Sequence, residues 1–289
     1  MARSERRIGE TGHGDVDRFL DLVRDQLRPA LGSELLGMYV GGSLALGAFD
    51  RASDVDVLIA TTADLSQRFA TLDALHRRLA REKLWFATEL ECIYMAPAGL
   101  RRFERAHARH LKLDRGAGEA LKIDTMDESW TVYCHVLRTD GITWDGPDPA
   151  TLIDDVTRAD LRAAMHAILE GWASNLLRRP DDLRAPGYQS YTVLSLCRIL
   201  YTLDEGTVQS KAAAAAWAGR TLPDNWHGLI ARAVADRLRD RVRASDAAVL
   251  QTLGMIEFAR ARAGAPTRLA NANTEAVKGA IDRSNERCS

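Results

Sequence analysis

Apolar residues recur at helical spacing in "DVDRFLDLVRDQLRPAL", where Phe19, Leu20, Leu22, Val23 and Leu27 share one face. Pro29 is expected to stop that helix. "LLGMYVGGS" reads as a short buried strand that closes in a turn, and "DVDVLIA" as a second strand. "LSQRFATLDALHRRLARE" has the spacing of an amphipathic helix with a basic face. "LWFATELECIYMAP" reads as a third strand, broken by Pro97. The order helix, strand, loop, strand, helix, strand predicts a small α/β domain with helices against one sheet. "RRFERAHARHLK" reads as a solvated helix face, with a polyphosphate contact as its alternative and with His107 and His110 at the surface. "SWTVYCHVL" fits strand or helix, and the turn-rich "GITWDGPDP" marks a candidate boundary.

Beyond about residue 155 the pattern changes. "DLRAAMHAILEGWASNLL", "SYTVLSLCRILYTLDEG", "SKAAAAAWAGRTL", "WHGLIARAVADRLRDRV" and "SDAAVLQTLGMIEFARARA" all have helical periodicity. Gly206 suits a helix C-terminus and Ser245 an N-cap. The fold class is therefore α/β (α+β): a small mixed-sheet domain over 14–153, then an all-α helical bundle over 154–265. Residues 1–13 and 266–289 read as flexible tails.

Composition narrows the function classes. At 289 residues with 46% apolar content, the chain can bury two cores. Lysine plus arginine is 39 against 40 acids, a net charge of -1, which disfavours a nucleic-acid partner. Cys92, Cys134, Cys197 and Cys288 are widely spaced without CxxC, so reduced thiols and a cytoplasmic location fit better than zinc or disulfides. No stretch is apolar over the ~18 residues of a membrane span, and no signal peptide is legible. A monomer is expected over an obligate oligomer.

The chemistry gathers in "GGSLALGAFDRASDVDVLIA", Gly41 to Ala60. Asp54 and Asp56, two apart on a strand, point to one face. Two such carboxylates repel unless a cation lies between them, and Mg²⁺ takes hard oxygen ligands while bridging to phosphates. Gly42 lets backbone N–H groups approach an anion, and Ser43 adds a hydroxyl. Ser53 offers either a phosphate donor or a local cap. Phosphoryl chemistry calls for a third carboxylate, as metal ligand or as general base on a hydroxyl. "ELECIYM" supplies Glu91, with Glu89 as the alternative on the same face. In the second half, Arg198 sits within the apolar "VLSLCRILY", where a charge is costly without a partner.

The GS, spacer and DxD pattern resembles the nucleotidyltransferase superfamily related to DNA polymerase β. "YTVLSLCRILYTLDEGTVQSKAAAAAWA", residues 191–218, resembles the C-terminal helical domain of the aminoglycoside 3''/9 adenylyltransferases, the streptomycin/spectinomycin resistance type. The likeness spans roughly residues 35–245. It implies Asp54 and Asp56 as Mg²⁺ ligands and Glu91, or Glu89, as the base that deprotonates a drug hydroxyl. It implies Arg198 and Lys211 as contacts to the phosphates of ATP. Trp172, Asp181, Asp182 and Tyr188 are of the types that hold a cationic drug, in a segment whose spacing departs from the family's and includes several arginines.

The expected activity is transfer of AMP from Mg·ATP to a hydroxyl of a small molecule, an aminoglycoside or aminocyclitol antibiotic, at a site between the domains, conferring resistance. The alternatives are transfer to a protein or metabolite hydroxyl, as in antitoxin-like members of the superfamily, and a non-catalytic nucleotide-binding regulator.

Overall fold

The computed structural model describes residues 7–185, 187–238 and 243–264. It forms two compact units that divide between Asp160 and Leu161, where sequence reading set the boundary at 153/154.

The first unit is a six-stranded mixed sheet. Its strands are β1 (Leu35–Val40), β2 (Val55–Thr61), β3 (Leu90–Met95), β4 (Arg109–Leu113), β5 (Lys122–Thr125) and β6 (Ile142–Asp145), in the order β5-β4-β3-β2-β1-β6. β2 and β3 run parallel and the other neighbours antiparallel. The helices are α1 (Gly14–Leu31), α2 (Gly42–Ala45), α3 (Phe69–Leu79), α4 (Pro97–Arg101) and α5 (Ser129–Thr139). Side chains alternate across a strand, so Val55, Val57 and Ile59 of β2 join one core with α1 and α3. Leu58 and Ala60 join the opposite core, with Leu100 of α4 and Trp130, Cys134 and Leu137 of α5.

Several local readings change in the structure. Pro29 lies inside α1 rather than ending it; the helix continues to Leu31, which is buried, and stops where Gly32 takes φ 54. The third strand begins only at Leu90, because Ala87–Glu89 turn in a 3-10 helix closed by Glu89 N–H donating to the Phe86 carbonyl at 3.0 Å. "GITWDGPDP" contains β6, whose Ile142, Thr143 and Trp144 are buried against β1. "AHARHLK" is no helix face: Arg105–His107 form a 3-10 turn, and His110 is buried in β4. "SWTVYCHVL" resolves as helix α5.

Residues 7–11, expected within a loose tail, are attached to the sheet. Ile8 bridges Thr143, and Gly9 N–H donates to the Thr143 carbonyl at 3.0 Å. Thr11 donates from its backbone to Asp17 at 2.9 Å. The Arg7 guanidinium donates to the carbonyls of Leu44 and Ala45, at the end of α2. Residues 1–6 and the expected tail from 266 lie outside the described residues.

The second unit is helical: α6 (Arg158–Ile168), a π-helical stretch Leu169–Ala173, α7 (Ser174–Arg178), α8 (Tyr188–Glu205), α9 (Lys211–Thr221), α10 (His227–Arg237) and α11 (Asp246–Gly264). α8 buries Val193, Leu196, Cys197 and Leu200, and α9, α10 and α11 pack on it. Gly206 ends α8 at φ 69, and the Ser245 hydroxyl accepts from Ala248 N–H at 3.3 Å. Ser210 caps α9 in the same way, a cap the sequence reading lacks. Cys92, Cys134 and Cys197 are buried free thiols, and Cys288 lies outside the described residues. No described helix is long and apolar enough to cross a membrane.

Candidate active site

Strand register assembles the acids. In the parallel pair β2/β3, Asp56 stands directly opposite Glu91. Alternation puts both on the face that carries α5, because Leu58 and Ile93, two residues on, belong to that core. Asp54, just before β2, joins them: one carboxylate oxygen from each of Asp54, Asp56 and Glu91 lies within 4.8 Å of the others. All three are half-buried. Three carboxylates so close repel unless protons or cations intervene.

The glycine loop lies over the same carboxylates. Gly41 N–H donates to the Asp56 carbonyl at 2.9 Å. Gly42 adopts φ 53, and a Cβ there would collide with the Asp56 carboxylate. Glycine at 42 is thus required by conformation and by space. The Ser43 hydroxyl is buried without a hydrogen-bond partner among the described residues. Ser53 takes the local-cap alternative: its hydroxyl donates to Asp50 at 3.1 Å and accepts from Asp50 N–H at 3.0 Å.

Two cations stand beside the acids, Lys112 from the basic run and Arg115 beyond it. Lys112 of β4 pairs with Glu91 at 3.0 Å and with Asp114 at 2.8 Å. Arg115 approaches Asp54 at 3.7 Å and Glu89 at 3.5 Å. Burial raises the Glu91 carboxyl above its ordinary value; Lys112 opposes that shift and the charge of Asp54 adds to it. Burial also works against the Lys112 charge, but Glu91 and Asp114 outweigh it and hold the ammonium above the usual lysine range. Glu89, in the turn before β3, does not join the three-acid cluster. Lys112 lies in the alternating "RHLKL", a strand where the basic run reads as a helix face.

In the helical unit the expected residues separate into two sets. Trp172, within the π-helical stretch, donates from Nε1 to the Tyr188 hydroxyl at 2.9 Å. Tyr188 stacks on Tyr191 at 5.7 Å between ring centroids, Trp172 meets Tyr191 edge-on at 6.1 Å, and the Lys211 ammonium lies 4.1 Å from the Tyr191 ring centre. Tyr191 is a further residue the sequence reading lacks. Asp181 and Asp182 pair instead with arginines of their own segment, Arg184 at 3.1 Å and Arg179 at 3.4 Å. Arg198, half-buried in α8, has no ion-pair or hydrogen-bond partner among the described residues.

The donor set fits a hard divalent cation: clustered carboxylate oxygens, a close glycine backbone and an orphaned hydroxyl beside them. The same residues suit phosphoryl transfer, which needs positioning and charge stabilisation more than covalent participation by the protein.

Both units resemble known proteins. Residues 21–106 match the family described as nucleotidyltransferase domain. Residues 151–256 match the family described as aminoglycoside adenylyltransferase, C-terminal domain. Among solved structures, the chain is similar to the spectinomycin adenyltransferase AAD(9) from Enterococcus faecialis, crystallised with ATP and spectinomycin. The TM-score is 0.68 at 18% identity, over 86% of this chain and 99% of that one. No curated protein matches.

Proposed function

We propose that this chain, an aminoglycoside-adenylyltransferase-like enzyme of the nucleotidyltransferase class, transfers AMP from ATP to a hydroxyl of an aminoglycoside or aminocyclitol antibiotic. The observation that carries the reading is the Asp54, Asp56 and Glu91 cluster beneath the Gly41–Gly42–Ser43 loop. Asp54 and Asp56 would hold Mg²⁺, which would supply positive charge against the phosphoryl oxygens. Glu91 takes the proton of the acceptor hydroxyl as that oxygen attacks the α-phosphorus and pyrophosphate departs. Its half-buried position and raised pKa support a base role over Glu89, which sits outside the cluster and faces Arg115. Ser43 donates to the nucleotide's phosphates, and we assign Arg198 and Lys211 the same class of contact. Trp172 and Tyr188 offer aromatic rings to a cationic acceptor, beside Tyr191, whose ring carries Lys211.

A second reading keeps the chemistry and changes the acceptor to a metabolite or protein hydroxyl. Lys112 and Arg115 beside the acids favour it, because they oppose a polycation, and so do Asp181 and Asp182, already engaged by arginines.

Pyrophosphate release from Mg·ATP separates these readings when measured with spectinomycin, with streptomycin and with no drug. Release that depends on a drug supports the first, and label from ATP in protein or metabolite without a drug supports the second. Tight ATP binding with no turnover on any acceptor would overturn both in favour of a regulator.

A further inference from the structure

Tyr133 has no part in the reading above, yet its hydroxyl, like that of Ser43, is buried with no hydrogen-bond partner among the described residues. Its position is well defined. α5 packs Trp130, Cys134 and Leu137 into the core under β1 and β2. Tyr133 projects from the same helix, with its ring stacked on Trp130 at 5.1 Å and 19°. A Cβ on Gly41 would lie 3.3 Å from ring atoms Cε2 and Cζ, so the hydroxyl-bearing end of the ring lies against the first glycine of the loop. The charges of Asp56 and Glu91 reach this hydroxyl, although neither carboxylate bonds to it.

A phenol held dry beside two carboxylates has given up its hydration without a protein partner in return. Phenylalanine would fill the same space without that loss, so packing gives no reason for the oxygen. Tyr133 and Ser43 instead place two O–H donors at the Gly41–Gly42 backbone, a corner suited to an anion. An anion beside Asp54 and Asp56 requires a cation between them, which describes a metal-bound polyphosphate.

Resting on the proposed nucleotidyltransferase reading, we propose that Tyr133 is a substrate-contacting residue whose O–H donates to a phosphoryl oxygen of the bound nucleoside triphosphate. The contact orients the phosphoryl group over the acids, and no proton leaves the tyrosine.

Calorimetric titration of the full chain with Mg²⁺ and a non-hydrolysable ATP analogue tests this, using wild type, Tyr133→Phe and Asp56→Asn. A hydrogen bond to a charged oxygen predicts roughly ten- to a hundredfold weaker binding by Tyr133→Phe. The ligand-free Tm of that variant should be unchanged or higher, since an unsatisfied polar group is removed. In turnover, the KM for ATP should rise while the KM for the acceptor holds. Binding equal to wild type overturns the proposal, as does weaker binding accompanied by a lower ligand-free Tm, which would mark a structural role. Wild type that fails to bind the analogue overturns the nucleotidyltransferase reading itself, and this proposal with it.

Discussion

Strands β2 and β3 serve two different purposes with their two faces. Toward α1 and α3 they present Val55, Val57, Ile59, Leu90, Cys92 and Tyr94, all buried. On that side His76 Nε2 and the Tyr94 hydroxyl share a hydrogen bond at 2.7 Å, while His76 Nδ1 is buried with no partner among the described residues. Toward α5 the same strands present Leu58, Ala60, Ile93 and Met95, but begin with Asp54, Asp56 and Glu91. Parallel pairing brings the two strand starts together, so the acids converge at one end. Near them lie the hydroxyls of Ser43 and Tyr133, which have no partner among the described residues. Both faces bury apolar side chains, but only the face toward α5 opens with clustered acids. The contrast predicts that substitutions on the two faces separate stability from activity.

The sharpest test is Asp56→Asn. The change keeps size but removes one charge of the cluster and turns an acceptor oxygen into a donor amide. Loss of several kcal/mol of transition-state stabilisation should lower turnover by about a thousandfold or more. Because like charges are relieved, Tm should stay level or rise. Full activity would remove the metal assignment, and a large fall in Tm would remove the contrast between the faces. Next in size is the pair Glu91→Gln and Glu89→Gln. A general base contributes typically ~10²–10⁴ in rate, so Glu91→Gln should lower kcat within that span. Glu89→Gln, outside the cluster, should stay within about tenfold of wild type, since its exposed-side pairing with Arg115 is of the weak surface kind. Reversed magnitudes in pyrophosphate-release assays would exchange the two roles.

The opposite face should respond in the opposite way. Ile59 is fully buried toward α1 and α3. Ile59→Ala should reduce unfolding free energy by about 3 kcal/mol, the usual cost of an excavated aliphatic core. Below its Tm the variant should keep kcat within about twofold, because the cavity opens away from the acids. Chemical denaturation and turnover at 20 °C read the two quantities independently.

Local constraints were the legible part of this site. A glycine forced to positive φ, a hydroxyl beside it and acids alternating on an apolar strand are short-range patterns, and Gly42, Ser43, Asp54 and Asp56 carry them. The helices of the second unit were legible for the same reason, down to the Gly206 stop. What depends on pairing between distant segments was not. Lys112 meets Glu91 only because β4 lies antiparallel to β3, and the run containing Lys112 has enough charge to pass for a helix surface. β6 hides in a turn-rich segment because four residues suffice for an edge strand. The choice between Glu89 and Glu91 turns on where β3 starts, and strand ends are the least legible feature of a sequence.

His76 gives the smallest and most specific test of the stabilising face. It is 2% exposed, and burial lowers its pKa to about 4, with Asp73 opposing the shift. In the unfolded chain the imidazole titrates near 6.5. Between those values the unfolded state binds more protons than the folded one, so stability must fall as pH drops through the window and is fully present above it. The loss approaches about 3 kcal/mol at the acid end, an upper bound for one group. His76→Gln keeps a polar partner for Tyr94 but cannot be protonated. At pH 7.5 it should be less stable than wild type by about 1 kcal/mol, the scale of one altered buried hydrogen bond. Near pH 4.5 that deficit should vanish or reverse, because only wild type must keep an imidazole neutral against its solution preference. Urea unfolding across pH 4.5–7.5 measures both curves. Parallel curves would mean that another group drives the acid loss and that this face holds no titratable weakness. Converging curves would place it at one side chain, in the core that faces away from the acids.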